Sequence, residues 1–403
     1  MNQLVLKKGR EKSLRRRHPW IFSGAVEKAG GKPGETLEVV DIAKNFVARA
    51  AYSPKSQIRA RVWTFDPKES VDADFFRGRL EKALALREAL PAAKHANALR
   101  LVHGESDGLP GLVVDRYADV LVVQFLAAGV DRWRDPILDC LSELSGCEAI
   151  FERSDAEVRK LEGLEPRVGW ARSANAKALA ASGNRDAGRC PIIEYGLNFR
   201  VDVEQGQKTG FFLDQRENRQ RVRALAAGRE VLDGFCYTGG FSVAALAGGA
   251  KRVTAVESSK DAIHIAKENL AANPLDASKV EFVQADVFAH LRTLRDQNAR
   301  FDLVVLDPPK FAPAAAQVQK AARAYKDINL WALKLLAPGG LLATFSCSGG
   351  VSAELFQSIV AGAALDAGGD AKIIERFSAA ADHPVALEFP EGDYLKGLLV
   401  LKG

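Results

Sequence analysis

The last 210 or so residues limit the possible folds more than any other part of the chain. From residue 230, short apolar runs alternate with segments of helical spacing: EVLDGF, RVTAVES, VEFVQAD, FDLVVLDPP and GGLLATFSCS each precede a helical stretch. Short apolar strands that alternate with helices predict an α/β fold, a parallel sheet covered by helices on both faces. Ligands in such sheets bind beyond the carboxyl ends of the strands, near the point where strand order reverses. The residues at those ends are the ones to read for function.

Two smaller regions precede this one. Residues 1–75 read as a β-rich domain, because TLEVVDI and IRARVWTF alternate apolar and polar side chains between Gly, Pro and Ser punctuation. DADFFRGRLEKALALREAL then has helical spacing and ends before Pro91. Residues 76–185 read as a small α+β middle domain. LRLVHGE and LVVDRYADVLVVQFL supply strands around a DGLPG turn, DRWRDPILDCLSELSG a helix, and EAIFERS another strand. Glu105 and Asp107 stand near that turn and read as turn formers. AKALAASGNRDAG reads as a poorly packed linker, and residues 186–403 form the last domain, entered through the hairpin-like CPIIEYGLNFRVDVEQG. FFLDQREN, 211–218, carries groups able to line a cofactor or a target, with Asp214 as a helix cap in the alternative.

Bulk composition closes off several classes. No apolar run reaches about 18 residues, so no membrane span is expected. The basic N-terminus is not followed by a signal-type apolar segment, and a cytoplasmic protein is expected. The five cysteines (140, 147, 190, 236 and 347) form no CxxC pair, which argues against a metal site and against a disulfide framework. The net charge of +5 is modest but unevenly spread. KKGREKSLRRR concentrates Lys7, Lys8, Arg10, Arg15, Arg16 and Arg17, and HPWIFSGAV sets Trp20 beside them. Cations contact phosphates and rings stack on unpaired bases, so this stretch is a candidate RNA surface; a solvated arm is the alternative.

The strand ends of the last domain carry a series of acids. VLDGFCYTGGFS is a strand, a turn and a helix start, with Asp233, Phe235, Tyr237, Thr238 and Gly239 as candidate cofactor contacts. Glu257, Asp286 and Asp307 end the second, third and fourth strands. A carboxylate ending the second strand accepts from ribose hydroxyls, and one at the third accepts from an adenine amine. That suits NAD and S-adenosylmethionine alike. LVVLDPPKF separates them, because two prolines stiffen the loop after the fourth strand and remove two amide donors. A rigid loop of this kind serves a methyltransferase acting on a planar base; a nicotinamide-dependent oxidoreductase is the distant alternative. TFSCSGG then places Cys347 at the end of a strand opposite that loop, where a thiol can be a nucleophile. The other cysteines read as core or cofactor-lining thiols.

DPPKF, YKDINLWALKLLAPGG, TFSCSG and ADHPVALEFPEGDYLKGLLV, with KKGREKSLRRRHPWIFSGA at the start, resemble the bacterial ribosomal RNA large subunit methyltransferase I family. These are 23S rRNA (cytosine-C5)-methyltransferases. The resemblance covers nearly the whole chain. It implies a PUA domain that binds RNA, a middle domain, a class I methyltransferase domain with a Rossmann-like sheet, S-adenosylmethionine as cofactor, and a homodimer. It also implies that Asp233, the turn through Gly239, Glu257, Asp286 and Asp307 hold the cofactor, and that Cys347 is the nucleophile. Two departures stand out. Phe235 and Tyr237 occupy positions where many class I enzymes have glycines, and Lys310 follows the prolines where related enzymes carry a helper cysteine.

A thiol has a purpose in this chemistry. Carbon 5 of cytosine becomes nucleophilic once a thiolate has added to carbon 6. Asp307, if protonated, is positioned to donate to ring nitrogen 3. A guanine-modifying enzyme would need no thiol, and Cys347 would then be structural. A non-catalytic RNA-binding factor is a third reading. The target base must leave its stack, which favours naked rRNA or an early assembly intermediate. Lys310 and Tyr325 are weaker candidates for RNA contact, with solvation as the alternative.

Overall fold

The computed structural model describes residues 2–172, 188–311 and 317–403. Nearly all of AKALAASGNRDAG therefore lies outside the described residues. Contacts divide the chain into two compact units: Met1–Ile193 with Val201–Leu213 and Ala381–Gly392, and Glu194–Arg200 with Asp214–Ala380 and Asp393–Gly403.

The first unit holds two sheets. Strands β1 (Gln3–Leu6), β2 (Trp20–Phe22), β3 (Val26–Ala29), β4 (Thr36–Val40), β5 (Phe46–Tyr52) and β6 (Ile58–Thr64) pair in the order β2-β6-β5-β4-β1-β3. Alternation decides which face they bury: Leu37 and Val39 of β4 are fully buried with Leu4, Leu6, Ala48 and Ala60. The helix Ala73–Glu88 follows, its first turn capped by the Asp72 carboxylate, which accepts from the Phe75 amide at 3.0 Å. Strands β7 (Ala98–His103), β8 (Leu112–Tyr117), β9 (Val120–Phe125), β10 (Ala149–Ser154) and β11 (Arg167–Arg172) form a second sheet in reverse chain order. Glu105 and Asp107 do more than form a turn. Asp107 accepts from buried Arg87 at 2.7 and 2.8 Å, and Glu105 accepts from the Trp20 indole at 2.7 Å.

β12 (Arg189–Glu194) and β13 (Leu197–Asp202) make a two-stranded sheet. Tyr195 and Gly196 join them with φ of 49° and 78°, the paired left-handed geometry of a tight hairpin turn.

The second unit carries a seven-stranded sheet of β14 (Glu230–Gly234), β15 (Arg252–Glu257), β16 (Val280–Gln284), β17 (Phe301–Leu306), β18 (Leu336–Ser346), β19 (Ala371–Phe377) and β20 (Lys396–Lys402). Their order is β16-β15-β14-β17-β18-β20-β19, with β20 antiparallel to both its neighbours. Leu303, Val304, Val305 and Leu306 of β17 are fully buried, each such side chain contributing about 1.5–3 kcal/mol. The order reverses at β14, which lies between β15 and β17. The carboxyl ends of β14, β15, β17 and β18 therefore frame a ligand site.

Candidate active site

Asp233 stands one residue before the end of β14 and is buried. Its Oδ2 accepts from the Ser242 hydroxyl at 2.6 Å, while Oδ1 is buried with no hydrogen-bond partner among the described residues. Burial raises its pKa to about 7; the Ser242 hydrogen bonds oppose this and the Glu257 charge adds to it. A buried acceptor left open in this way suits a cationic donor. Thr238 has the same character, since its hydroxyl is buried and has no partner among the described residues.

The turn from Phe235 to Gly239 is fixed from several sides. The Cys236 amide donates to Val256 O at 3.1 Å and the Gly239 amide to Cys236 O at 2.8 Å. Asn269 holds Thr238 O at 2.9 Å. Glu257, the last residue of β15, accepts from the Tyr237 amide at 3.1 Å through one oxygen and from the Ser259 amide at 2.9 Å through the other. Phe235 and Tyr237 have φ of 65° and 49°. These are the left-handed conformations that glycine adopts at no steric cost, so this chain keeps the backbone path without the glycines. Gly239 itself, at φ 77°, caps the helix Gly240–Ala247. Burial, with the charges of Asp233 and Glu257, pushes the Cys236 thiol well above its ordinary pKa. That thiol packs and is inert at neutral pH.

Asp286 lies two residues beyond β16 and is exposed. One of its oxygens caps the helix Val287–Asp296, accepting from the Ala289 amide at 2.9 Å. Aromatic rings then run under the strand ends: Phe235–Phe288 at 6.1 Å, Phe288–Phe311 at 5.7 Å and Phe311–Tyr325 at 4.8 Å between centroids. Sequence reasoning missed Phe288, although its place two residues after a strand-end acid was a usable signal.

Asp307 follows β17 directly and Cys347 follows β18; both are half-buried. The two strands pair in parallel, Leu306 opposite Thr344, which brings the two turns to one edge. Tyr325 reports on both. It is fully buried, so its side chain is neither solvated nor available to RNA, and its hydroxyl lies 3.0 Å from the Ser348 hydroxyl. Burial raises its pKa, hydrogen bonds to Ser346 and Ser348 oppose the shift, and the charges of Cys347 and Asp307 add to it. Lys396 was also missed from the sequence. Its Nζ donates to Ser348 O at 2.9 Å. Lys310 is exposed on the proline loop.

Asp214 does not cap the helix Arg216–Leu225, whose N-cap position is Gln215. It is buried and accepts from the Tyr394 hydroxyl at 2.5 Å. The helix turns Arg219 inward to Glu194, at 2.8 and 2.6 Å.

In the first unit Lys7, Lys8, Arg10, Arg15, Arg16 and Arg17 are all exposed, around the short helix Lys12–Arg15 that buried Leu14 anchors. Trp20 is half-buried: its indole N–H bonds Glu105 and its ring meets Phe389 edge-on at 4.8 Å. Phe22, 49% exposed, is the open ring beside it. A cleft of about 790 Å³ includes Arg17, Arg79 and Lys82 in its lining, but also Asp66, Glu69, Glu105, Asp107 and Glu388. That mixture leaves the arm, not the cleft, as the cationic surface. Among the described residues no cluster has the make-up of a metal site, and no helix is long and apolar enough to cross a membrane.

A PUA-like domain family matches residues 4–65, and an S-adenosylmethionine-dependent methyltransferase family matches residues 174–399. The chain is 50% identical over 397 residues to Ribosomal RNA large subunit methyltransferase I of Escherichia coli (strain SMS-3-5 / SECEC), covering 98% of each protein. Its identity to the protein of that name from Cronobacter sakazakii is also 50%, with the same coverage. A methyltransferase solved in complex with SAH superposes with a TM-score of 0.85 over 100% of both chains, at 22% identity. An S-adenosylmethionine-dependent methyltransferase structure from Streptococcus mutans does so at 0.83, also at 22% identity. At that identity the two structures establish the fold. The chain belongs to the ribosomal RNA large subunit methyltransferase I family, and S-adenosylmethionine is the cofactor of its methyltransferase domain.

Proposed function

We propose that the protein methylates carbon 5 of a cytosine in 23S rRNA through a covalent adduct to Cys347. One observation carries this reading: a half-buried thiol at the end of β18 shares an edge with Asp307 and the rigid proline loop after β17. A methyl-donor site alone needs no thiol there.

When bound, S-adenosylmethionine supplies an electrophilic methyl group. Asp233 Oδ1 and the Thr238 hydroxyl, both buried and open, suit its amino-acid end; Glu257 suits the ribose and Asp286 the adenine. Phe235, Tyr237 and Gly239 shape the turn that admits it. The Cys347 sulfur adds to carbon 6 of the flipped cytosine, forming an S–C bond and moving the ring electron pair to carbon 5. Asp307 in its protonated form donates to ring nitrogen 3 and so stabilises the negative charge gained by the ring. After carbon 5 has taken the methyl group, its proton passes to a base or to water, and the electron pair left behind re-forms the ring double bond and expels the thiolate.

The arm from Lys7 to Arg17 grips phosphates, Lys310 contacts RNA from the proline loop, and Trp20 braces Phe22 for stacking. The domain reading is 1–75, 76–185 and 186–403; one sheet in each of the first two and the seven-stranded sheet in the last support it, whereas contacts group Val201–Leu213 and Ala381–Gly392 with the first unit. The family resemblance further implies a cytoplasmic homodimer acting on naked rRNA or an early assembly intermediate. Methyl transfer to 23S rRNA lacking modifications, with the product base identified, tests the reading. The expected product is 5-methylcytosine. A methylated guanine would overturn it and leave Cys347 as packing.

A further inference from the structure

Lys396 opens β20 and has no part in the chemistry above. Lysine head groups normally reach for water. This one is half-buried, and its Nζ is turned onto Ser348 O at 2.9 Å, the carbonyl one residue beyond Cys347. The placement is built by the fold. β20 runs antiparallel to β18 with Lys396 opposite Ser346 and Gly397 opposite Phe345. A Cβ on Gly397 would lie 2.6 Å from the Phe345 ring, so the two strands are drawn together at this pair. Phe345 in turn stacks on Phe241 at 5.7 Å and Phe377 at 5.2 Å. On the other side of Lys396, Tyr394 is tied to Asp214.

The charges acting on Lys396 come from three places: Cys347 just beyond β18, Lys310 on the loop after β17, and Asp393 in the lead into β20. Cys347 and Asp307 both act in turn on Tyr325, which rises from the helix Val318–Leu335 with its hydroxyl on Ser348. Burial lowers the Lys396 pKa and the charge of Lys310 adds to that; Asp393 and Cys347 act in the opposite direction. An ammonium that gives one proton to a carbonyl has two left.

We propose that Lys396 is a positioning residue that acts through Cys347: its ammonium, anchored on the Ser348 carbonyl, holds the Cys347 sulfur as the thiolate before RNA arrives. This rests on Cys347 being the nucleophile. It also gives a role to the cation where no second cysteine follows the prolines. The thiol's proton goes to solvent and the anion is retained by the neighbouring charge.

Alkylation tests this without RNA or turnover. The full-length chain is treated with iodoacetamide from about pH 5.5 to about pH 9.5, and modification is read peptide by peptide; the thiolate displaces iodide, so the rate follows the thiolate fraction. Wild-type Cys347 is expected to react with a midpoint below the ordinary thiol value of about 8.5. Lys396→Gln keeps a donor for Ser348 O but removes the charge, and is expected to slow Cys347 alkylation about tenfold near neutral pH. Lys396→Arg keeps the charge and is expected to stay close to wild type. Alkylation of Cys140 and binding of S-adenosylhomocysteine should be unchanged in both variants. A wild-type profile in Lys396→Gln overturns the assignment, and so does a wild-type midpoint at or above the ordinary value, whatever the variants do. Turnover by Cys347→Ala would overturn the nucleophile reading instead, so the two failures are distinguishable.

Discussion

Cys236 and Cys347 sit in turns at the same edge of one sheet, one after β14 and the other after β18. Cys236 is buried, and that burial, with the charges of Asp233 and Glu257, raises its pKa and keeps its proton. Cys347 is half-buried, next to a carbonyl that holds an ammonium. Burial and two carboxylates silence the first thiol. At the second, the role proposed for Lys396 sets a cation against a sulfur that has to carry charge in the proposed chemistry. The residue type is the same, and the neighbours assign the role.

The largest test of that contrast exchanges each thiol. Cys347→Ala is expected to lower methyl incorporation into 23S rRNA by about a thousandfold or more while S-adenosylhomocysteine still binds. Cys236→Ala is expected to keep activity and lose about 1 kcal/mol of stability in a urea titration. Equal losses would erase the distinction.

Asp233→Asn tests the negative side. Removing the charge is expected to weaken cofactor affinity by about a hundredfold, read by calorimetry. The same change should raise the melting temperature of the cofactor-free protein at alkaline pH. The sign follows from a folded-state pKa raised from 3.8 to about 7: folding favours the protonated acid, so its contribution is full below the unfolded value and lost as pH rises through 7. Cofactor binding has the opposite slope. A cationic amino group prefers the ionised carboxylate, so affinity for S-adenosylhomocysteine should rise about tenfold per pH unit below 7 and level off above it. A flat profile would remove Asp233 from the cofactor site.

The smallest effect separates the two uses of Asp286. Asp286→Ala is expected to cost about 1 kcal/mol of stability through the lost cap, whereas Asp286→Asn should cost a few tenths. A fall in cofactor affinity in both variants would assign the second oxygen to adenine; unchanged affinity in both would leave Asp286 as a cap.

Much of the site was legible because its signals are local. Strand periodicity located β14 to β18, and an acid or thiol at a strand end needs only that boundary to be placed at the ligand edge. The left-handed turn at Phe235 and Tyr237 could not be read that way, since both residues normally avoid the conformation. Lys396 was invisible for another reason: the register of β20 against β18 sets it beside Ser346, and nothing near Lys396 in the chain announces that pairing. Tyr325 looked like a surface side chain and is buried under the strand ends, its hydroxyl on Ser348. The segment Ala381–Gly392 falls within the last domain when the chain is read contiguously, yet its contacts group it with the first unit. Asp382 there accepts from the Arg100 amide at 2.8 Å.

The sequence by itself determined the alternating fold, the acids at its strand ends, the thiol after β18 and the cationic arm, because periodicity, charge and turn chemistry act over a few neighbouring residues. Only the tertiary structure decided which acid is buried and open, which thiol is silenced and which lysine is turned onto the Ser348 carbonyl. Those outcomes depend on burial and on charges brought together by strand pairing across long stretches of chain.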